Sequence, residues 1–424
     1  MATLNQGQRQ VYNDIVSFLC DPTRKEHRVA GGPGTGKSFL ISKIASDILK
    51  IVKGKADLDH IEVTATTNQA AAVLQQAIPE MEDSIKTIYS ALNLRLSENW
   101  KTGETKIMRT KVWAVHDRTL FIIDEASMVN TTLMEELHAA TTSKCKILYV
   151  GDKNQLNPVK ESISPVYSKH MSESLLTEPV RNAEQPALVE LVDQAKKTVE
   201  TGEFFKIKPV PGVIDLVDGP ALKGVLERNY HSEDATKRIL GYTNDTVIAY
   251  NEFCRELRGY EEPLVQGEIV VNNEAAEITP LLRLYTGQML EIVEKRGSHW
   301  EDFGTAKSYL VYDLLVKDIH TGIPFEFRSF ANPMQRSALL KDFARVKRWE
   351  RYFTIKNKHP DLRPIAASTT HKAQGSTYNE VVVDLGDIST STNRDMTARM
   401  LYVALSRPRS RIYIRGELDE RYFQ

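Results

Sequence analysis

Cysteine is scarce: Cys20, Cys145 and Cys254 are the only three in 424 residues, with neither a CxxC pair nor metal-ligand spacing among them. That excludes a disulfide-stapled secreted scaffold and a zinc-ribbon type of site, and makes a reducing, cytoplasmic compartment the expectation. No run of about 18 apolar residues occurs, so no membrane partner is expected. The opening MATLNQGQRQ lacks the apolar core of a signal peptide. A charge excess is also missing, since 55 Lys and Arg stand against 56 Asp and Glu for a net charge of −1. The chain is therefore no blanket polyanion binder, and any nucleic acid must be bound through local grooves. No internal repeat is visible. The length leaves room for two to four domains with ample core.

What is present is concentrated first at Gly31-Gly32-Pro33-Gly34-Thr35-Gly36-Lys37-Ser38, a G-x-x-x-x-G-K-[ST] string without a mismatch. Glycines let consecutive backbone N–H groups turn inward around phosphate oxygens, a conformation that Cβ atoms obstruct. Lys37 can reach the β- and γ-phosphates, and the Ser38 hydroxyl can sit on Mg²⁺. Arg28-Val29-Ala30 reads as a strand end. Phe39 to Val52 carries apolar residues at helical spacing, which predicts a helix whose N-terminus favours phosphates.

Ahead of this loop, Gln8 can read an adenine edge with its amide or serve as an ordinary surface residue. Ile61 to Thr66 reads as a second strand. Thr67-Asn68-Gln69 follows at the edge where α/β sheets present ligands, with a helix N-cap as the alternative. Residues 93 to 118 read as a small hairpin insertion whose Trp100, near the tip, either stacks on a base or folds back on its own hairpin. Thr119 to Ser127 is a buried strand ending in Asp124-Glu125. Asp124 can hold Mg²⁺ opposite Ser38, and Glu125 can accept the proton of a water attacking the γ-phosphate. A third strand, Lys146 to Val150, leads into Gly151 to Leu156, where Gln155 can orient that water or touch the γ-phosphate. Arg181 falls on a loop beyond the first sheet.

A second α/β unit begins near residue 184, with a strand at 238–242 and a helix at Asn244 to Leu257, and resumes at 365–415. Between its halves, short strands with Gly turns from about 262 to 330 suggest a small β-barrel. Residues 334 to 357 form a basic helical stretch with Trp349, Tyr352 and Phe353 interleaved. That mixture suits nucleic acid, or else a solvated face over a packed seam.

Taken in order, Gln8, GGPGTGKS, ATTNQAA, FIIDEAS, GDKNQLNPV, LTEPVRN, THKAQGST and YVALSRPR resemble the motif set of superfamily 1 DNA helicases. The resemblance is strongest to Dda-like phage members of the RecD-like branch and covers nearly the whole chain, so a viral source would mean the host cytoplasm. It implies an α/β fold of two RecA-like P-loop domains, 1–92 with 119–183 and 184–261 with 363–424. A small β-hairpin pin, 93–118, would be inserted in the first, and a β-barrel plus helical insertion, 262–362, in the second. ATP and Mg²⁺ would lie between the domains. Gln8, Gly31, Gly32, Pro33, Gly34, Thr35, Gly36, Lys37, Ser38, Gln374 and Gly375 are the implied nucleotide-binding residues. Ser38 and Asp124 would hold the metal. Lys37, Asp124, Glu125, Gln155, Arg181 and Arg407 form the implied catalytic set, the two arginines matching those that reach the γ-phosphate. Thr67, Asn68, Thr87 and Tyr89 would line one half of a DNA track, with Thr243, Asn244, His371, Lys372 and Ser376 on the other and Trp100 as strand wedge. Contacts of this kind to phosphates carry no sequence information.

Two positions depart from the family pattern: Thr66 stands where Pro is usual and Tyr89 where His is usual. Residues 330 to 362 match no family segment. The implied activity is an ATP-dependent 5′-to-3′ DNA helicase, working as a monomer on single-stranded DNA and its junctions with duplex. A single-strand-binding or replication protein is a further candidate partner. A protein-stripping DNA or RNA translocase, and a P-loop NTPase unrelated to nucleic acid, are the alternatives.

Overall fold

The computed structural model describes residues 4–51, 56–158, 161–180, 184–279 and 281–424. Contacts divide the chain into two compact units. One comprises Met1–Arg95, Ile107–Leu216 and Ala373–Gln424, the other Leu96–Lys106 and Val217–Lys372.

The first unit is built on a six-stranded sheet. Its strands, numbered along the chain, are β1 (Glu26–Gly31), β2 (His60–Ala65), β3 (Lys86–Thr87), β6 (Thr119–Asp124), β7 (Lys146–Gly151) and β8 (Ser172–Leu176), in the order β3-β2-β6-β7-β1-β8. Every ladder in it is parallel. All six residues of β6 and all six of β7 are buried. Helices cover both faces, so these strands read as continuous apolar runs instead of alternating ones. Period-two alternation decides which face each residue serves. Leu120 and Ile122 join Val29, Val63 and Leu148 beneath α1 (Gln6–Cys20), α2 (Lys37–Ile51) and α3 (Asn68–Ala77). Phe121 and Ile123 join Tyr149 on the opposite face, with α4 (Ile88–Ala91), α5 (Thr131–Ala139) and α6 (Pro165–Ser168). Each such buried aliphatic side chain contributes roughly 1.5–3 kcal/mol.

The same unit contains α7 (Pro186–Thr201), packed on α13 (Arg394–Leu405), and the short α12 (Leu385–Ile388). Its second group of strands is β19 (Tyr378–Asp384), parallel to β20 (Pro408–Arg415), with β9 (Ile214–Val217) beside β20. Parallel ladders bring the C-terminal ends of β1, β2 and β6 to one edge of the large sheet, where α/β folds bind ligands.

In the second unit, β10 (Lys237–Gly241) runs parallel to β18 (Ala367–Thr369), accompanied by α8 (Gly219–Asn229) and α9 (Asn244–Leu257). The bounds of α9 are those the sequence predicts. Beside them lies an antiparallel sheet of β11 (Ile269–Asn272), β14 (Met289–Asp302), β15 (Ser308–Asp318), β16 (Pro324–Phe330) and β17 (Leu362–Pro364), ordered β16-β15-β14-β11-β17. A separate pair, β12 (Ala276–Glu277) and β13 (Arg283–Leu284), completes the strands. The expected barrel is thus an open sheet: no ladder joins edge strands β16 and β17 among the described residues. The cause is local, because β17 is three residues long and ends in Pro364, which cannot donate to a further strand.

The basic stretch is two helices, α10 (Pro333–Arg345) and α11 (Trp349–Lys358), broken where Lys347 turns left-handed at φ 55°. Arg336 is buried and faces no solvent. Its guanidinium pairs with Glu274 (2.6 Å) and donates to the carbonyls of His359 (2.6 Å) and Lys356 (3.2 Å). The predicted hairpin forms from β4 (Leu94–Glu98) and β5 (Thr105–Arg109). Within the second unit its tip leans on α11. Trp100 lies 6.1 Å from the Phe353 ring, Trp349 packs against Gly103, and Glu98 accepts from Lys356 Nζ (2.7 Å) and Asn357 Nδ2 (2.8 Å). Trp100 therefore packs on a helix distant in sequence and not on its own hairpin, while remaining 47% exposed. Among the described residues no helix is long and apolar enough to cross a membrane.

Candidate nucleotide site

The glycine-rich loop leaves the sheet at the end of β1, an interior strand held between β7 and β8. Gly34 and Gly36 adopt φ of 73° and 85°, and a Cβ on Gly36 would run into the Gln8 amide. A Cβ on Gly31 would lie 2.8 Å from both Leu176 Cβ and Thr35 Oγ1. The turn thus requires glycine for conformation at one end and for space at the other. Gln8 is buried, and both halves of its amide are engaged. Its Oε1 accepts from Asn5 N (3.2 Å) in the capping box of α1, and its Nε2 donates to the Thr35 carbonyl (3.2 Å). Thr35 Oγ1 donates to the Gly32 carbonyl (2.9 Å). Lys37 Nζ donates to the carbonyls of Gly31 and Gly32, both at 2.9 Å, so the ammonium rests inside its own loop. Pro33 is part of this turn, and Ser38 is the second residue of α2.

Asp124 ends β6 and Glu125 follows in a left-handed backbone, φ 53° and ψ 44°. Three bonds hold this turn: Glu125 N to Asp124 Oδ1 (2.9 Å), Thr66 N to the Asp124 carbonyl (3.3 Å), and Thr66 Oγ1 to the Glu125 carbonyl (3.1 Å). A proline at 66 could supply neither Thr66 bond. Burial, and secondarily the Glu125 carboxylate, raise the Asp124 pKa to about 7, against a smaller downward pull from Lys37. A carboxylate so placed suits a divalent cation, which would relieve the burial of its charge. The sign has a measurable consequence. The fold retains a proton here that the unfolded chain, with its pKa near 3.9, releases, so the cation-free protein loses stability as pH rises between those values. Asp124→Asn is therefore expected to raise the thermal midpoint of Mg²⁺-free protein at about pH 8 and leave it nearly unchanged at about pH 4. A midpoint that does not rise at the higher pH would show that Asp124 carries no such penalty.

Gln155 is 2% exposed, and its Oε1 has no partner among the described residues; the same holds for the buried Gln374 Oε1. Two orphaned acceptors near a phosphate loop suit ligand or water hydrogens. The Gly151–Gln155 loop is also gripped from α13. Tyr402 OH donates to Asp152 Oδ2 (2.6 Å), and Arg399 Nη1 donates to the carbonyls of Lys153 and Gln155 (2.8 Å each). The sequence reading missed Tyr402 and Arg399; their only local signal is the i, i+3 spacing that puts both on one helix face.

Gln374 Nε2 donates to Glu125 Oε2 (3.3 Å) and Ser127 Oγ (3.2 Å), and an added Cβ on Gly375 would lie 3.7 Å from Glu125 Oε1. Ser376 Oγ is hydrogen-bonded by Gln69 Nε2. Arg407 is buried and turned inward, its guanidinium donating to the carbonyls of Val403 (2.8 Å) and Ser376 (2.9 Å) and to Ser406 Oγ (2.7 Å). Burial lowers its pKa, with the Glu125 carboxylate the largest opposing influence. Arg181 lies outside the described residues.

The residues expected along a strand track are placed as follows. In the first unit Thr67 caps α3 (Ala70 N, 3.1 Å), with Asn68 next to it, and Thr87 caps α4 (Ser90 N, 3.2 Å). Tyr89 is half-buried against the Phe121 side of the core. In the second unit Thr243 caps α9 (Thr246 N, 3.3 Å), Asn244 begins that helix, His371 is exposed with its ring 6.1 Å from Tyr242, and Lys372 Nζ donates to the Asn273 carbonyl (2.8 Å). Burial lowers the Lys372 pKa. The N-cap alternative raised for Thr67 is what its hydroxyl does here, and Thr87 and Thr243 cap their helices in the same way.

An AAA domain family profile matches residues 3–205, and a UvrD-like helicase C-terminal domain profile matches residues 364–414. The chain is 23% identical over 457 residues to the ATP-dependent DNA helicase dda of Enterobacteria phage T4, covering 97% of this chain and 98% of that one. It is 22% identical over 427 residues to the RecBCD enzyme subunit RecD of Mycolicibacterium smegmatis, covering 92% of this chain and 68% of that one. In fold it is similar to a Pif1 helicase from Bacteroides solved with ADP-AlF3 and single-stranded DNA. That match has a TM-score of 0.56 and 14% identity over 100% of this chain and 95% of that one. Over nearly its whole length the chain is thus similar to the helicases Dda and RecD, its motif order resembles that of the superfamily 1 helicases, and its α/β fold is that of a Pif1 helicase with two RecA-like domains.

Proposed function

We propose that the chain is an ATP-dependent helicase that moves 5′ to 3′ on single-stranded DNA and separates duplex, working as a monomer. One observation carries the reading. The short segment Gln374 to Ser376 touches Glu125 beside the glycine-rich loop at one end, and Gln69, next to Thr67 and Asn68, at the other. An NTPase acting on a small molecule has no use for such a link. The motor halves would be 1–92 with 119–183 and 184–261 with 363–424, carrying the pin at 93–118 and the accessory insertion at 262–362.

The chemistry assigned to the residues is hydrolysis of ATP. Water oxygen attacks the γ-phosphorus, the bond to the ADP oxygen breaks, and the proton of the water passes to Glu125. Lys37 leaves the Gly31 and Gly32 carbonyls for phosphate oxygens, Gln155 orients the water, and Arg181 and Arg407 complete the charge around the transferring group. Ser38 and Asp124 would hold Mg²⁺, which neutralises β- and γ-phosphate charge. Strand contacts from Thr67, Asn68, Thr87, Thr243, Asn244, His371, Lys372 and Ser376 would follow backbone phosphates. Trp100, exposed and braced on Phe353, is the candidate wedge at the junction.

The test is ATP-driven release of an oligonucleotide from duplexes with a 5′ or a 3′ single-stranded tail. Release from the 5′-tailed substrate alone is expected. Release from the 3′ tail alone would refute the polarity. No release, with DNA-stimulated hydrolysis intact, would reduce the reading to a translocase.

A further inference from the structure

We propose that Gln374 is a positioning residue that restrains Glu125 until nucleic acid engages the Gln69–Ser376 contact. The inference rests on the motor reading above and adds the route by which strand occupancy reaches the hydrolytic centre. Consecutive residues carry it. Gln374 holds Glu125 and Ser127; Ser376 is held by Gln69, the residue after Asn68; and the Ser376 carbonyl accepts from Arg407 at 2.9 Å. Gly375 stands between them at φ 82°, a conformation that suits a pivot.

The backbone of Glu125 is not free to supply the movement. Its N–H is held by Asp124 and its carbonyl by Thr66, so the groups that touch the carboxylate set its position. An amide N–H on a carboxylate oxygen occupies a lone pair and fixes the direction of the carboxylate, so the oxygen that would take the proton of the attacking water is held toward Gln374 instead. Moving the segment away from Gln69 would release Glu125 from that donor and Arg407 from the Ser376 carbonyl together. The proton balance is unchanged: water gives its proton to Glu125 as the bond to ADP breaks, and Gln374 remains a neutral amide throughout.

Steady-state ATP hydrolysis by the full chain, with and without saturating oligothymidylate, tests this. Gln374→Ala is expected to raise kcat without DNA roughly fivefold, the worth of one modest hydrogen bond. The DNA-saturated kcat should rise less than the DNA-free one, so the stimulation ratio falls. Gln69→Ala, which frees the segment from its other end, should shift the DNA-free rate in the same direction. A DNA-free kcat that stays level or falls in Gln374→Ala overturns the proposal. So does a change confined to KM for ATP, which would make Gln374 a nucleotide contact. A wild-type chain that hydrolyses no ATP, or whose rate ignores DNA, sinks the motor reading instead, so the two failures are told apart by which protein shows them.

Discussion

Lys37→Ala is expected to lower ATP turnover by at least about 10²–10³-fold, the cost of removing a preorganised donor from a site of developing charge. The structure makes this a clean experiment. Among the described residues Lys37 Nζ hydrogen-bonds only to two carbonyls of its own loop, Gly31 and Gly32, and it is no part of the apolar core. Its loss therefore removes the charge that would face the phosphates while sparing the packing of α2 on the sheet. Phosphate release measured beside a thermal melt separates the two effects. A melt near that of the wild type with turnover almost gone is the expected pair. A variant that keeps more than about a tenth of its turnover would take Lys37 out of the phosphate site.

Glu125→Gln is expected to slow hydrolysis by about 10²–10⁴-fold while nucleotide and single-stranded DNA still bind. The amide cannot take a proton from water. Glutamine also tolerates the left-handed backbone about as well as glutamate, and the bonds from Asp124 and Thr66 reach main-chain atoms only. The variant should thus leave the turn intact and remove one proton acceptor. Single-turnover phosphate release, set against binding of a fluorescent nucleotide, reads the two quantities separately. Hydrolysis at the wild-type rate would end the assignment of Glu125 as base. Weakened nucleotide binding with unchanged chemistry would recast it as a ground-state contact.

What could be read from the sequence was what is written locally. The glycine-rich loop, the buried run ending in Asp124-Glu125, and the helix from Asn244 to Leu257 each depend on neighbours along the chain, and each lies where the pattern puts it. What could not be read depends on partners far away. Trp100 rests on Phe353, Tyr402 reaches back to Asp152, and Arg336 is drawn inside by Glu274 and two carbonyls, although its neighbours in sequence suggested a basic surface. The barrel expectation failed for a related reason. Short strands and glycine turns announce antiparallel pairing, but closure depends on whether the outermost strands meet, and β17 is too short and too proline-capped to extend the sheet. Arg407 shows a different limit. The motif marks the residue but not the direction of its side chain, which here turns to the Val403 and Ser376 carbonyls.

The left-handed turn at Glu125 also bears on how this chain could be altered. At φ 53° it occupies backbone territory that glycine enters freely and that costs other residues about 1–2 kcal/mol. Selection for robustness alone would therefore drift toward glycine at position 125, and an algorithm repairing strained dihedrals would suggest the same change. Either would yield a sturdier chain without the carboxylate assigned to the proton. Rankings of variants by fold quality and by turnover should diverge most sharply at this residue, so an engineer seeking a hardier motor has to hold position 125 fixed and look for stability elsewhere.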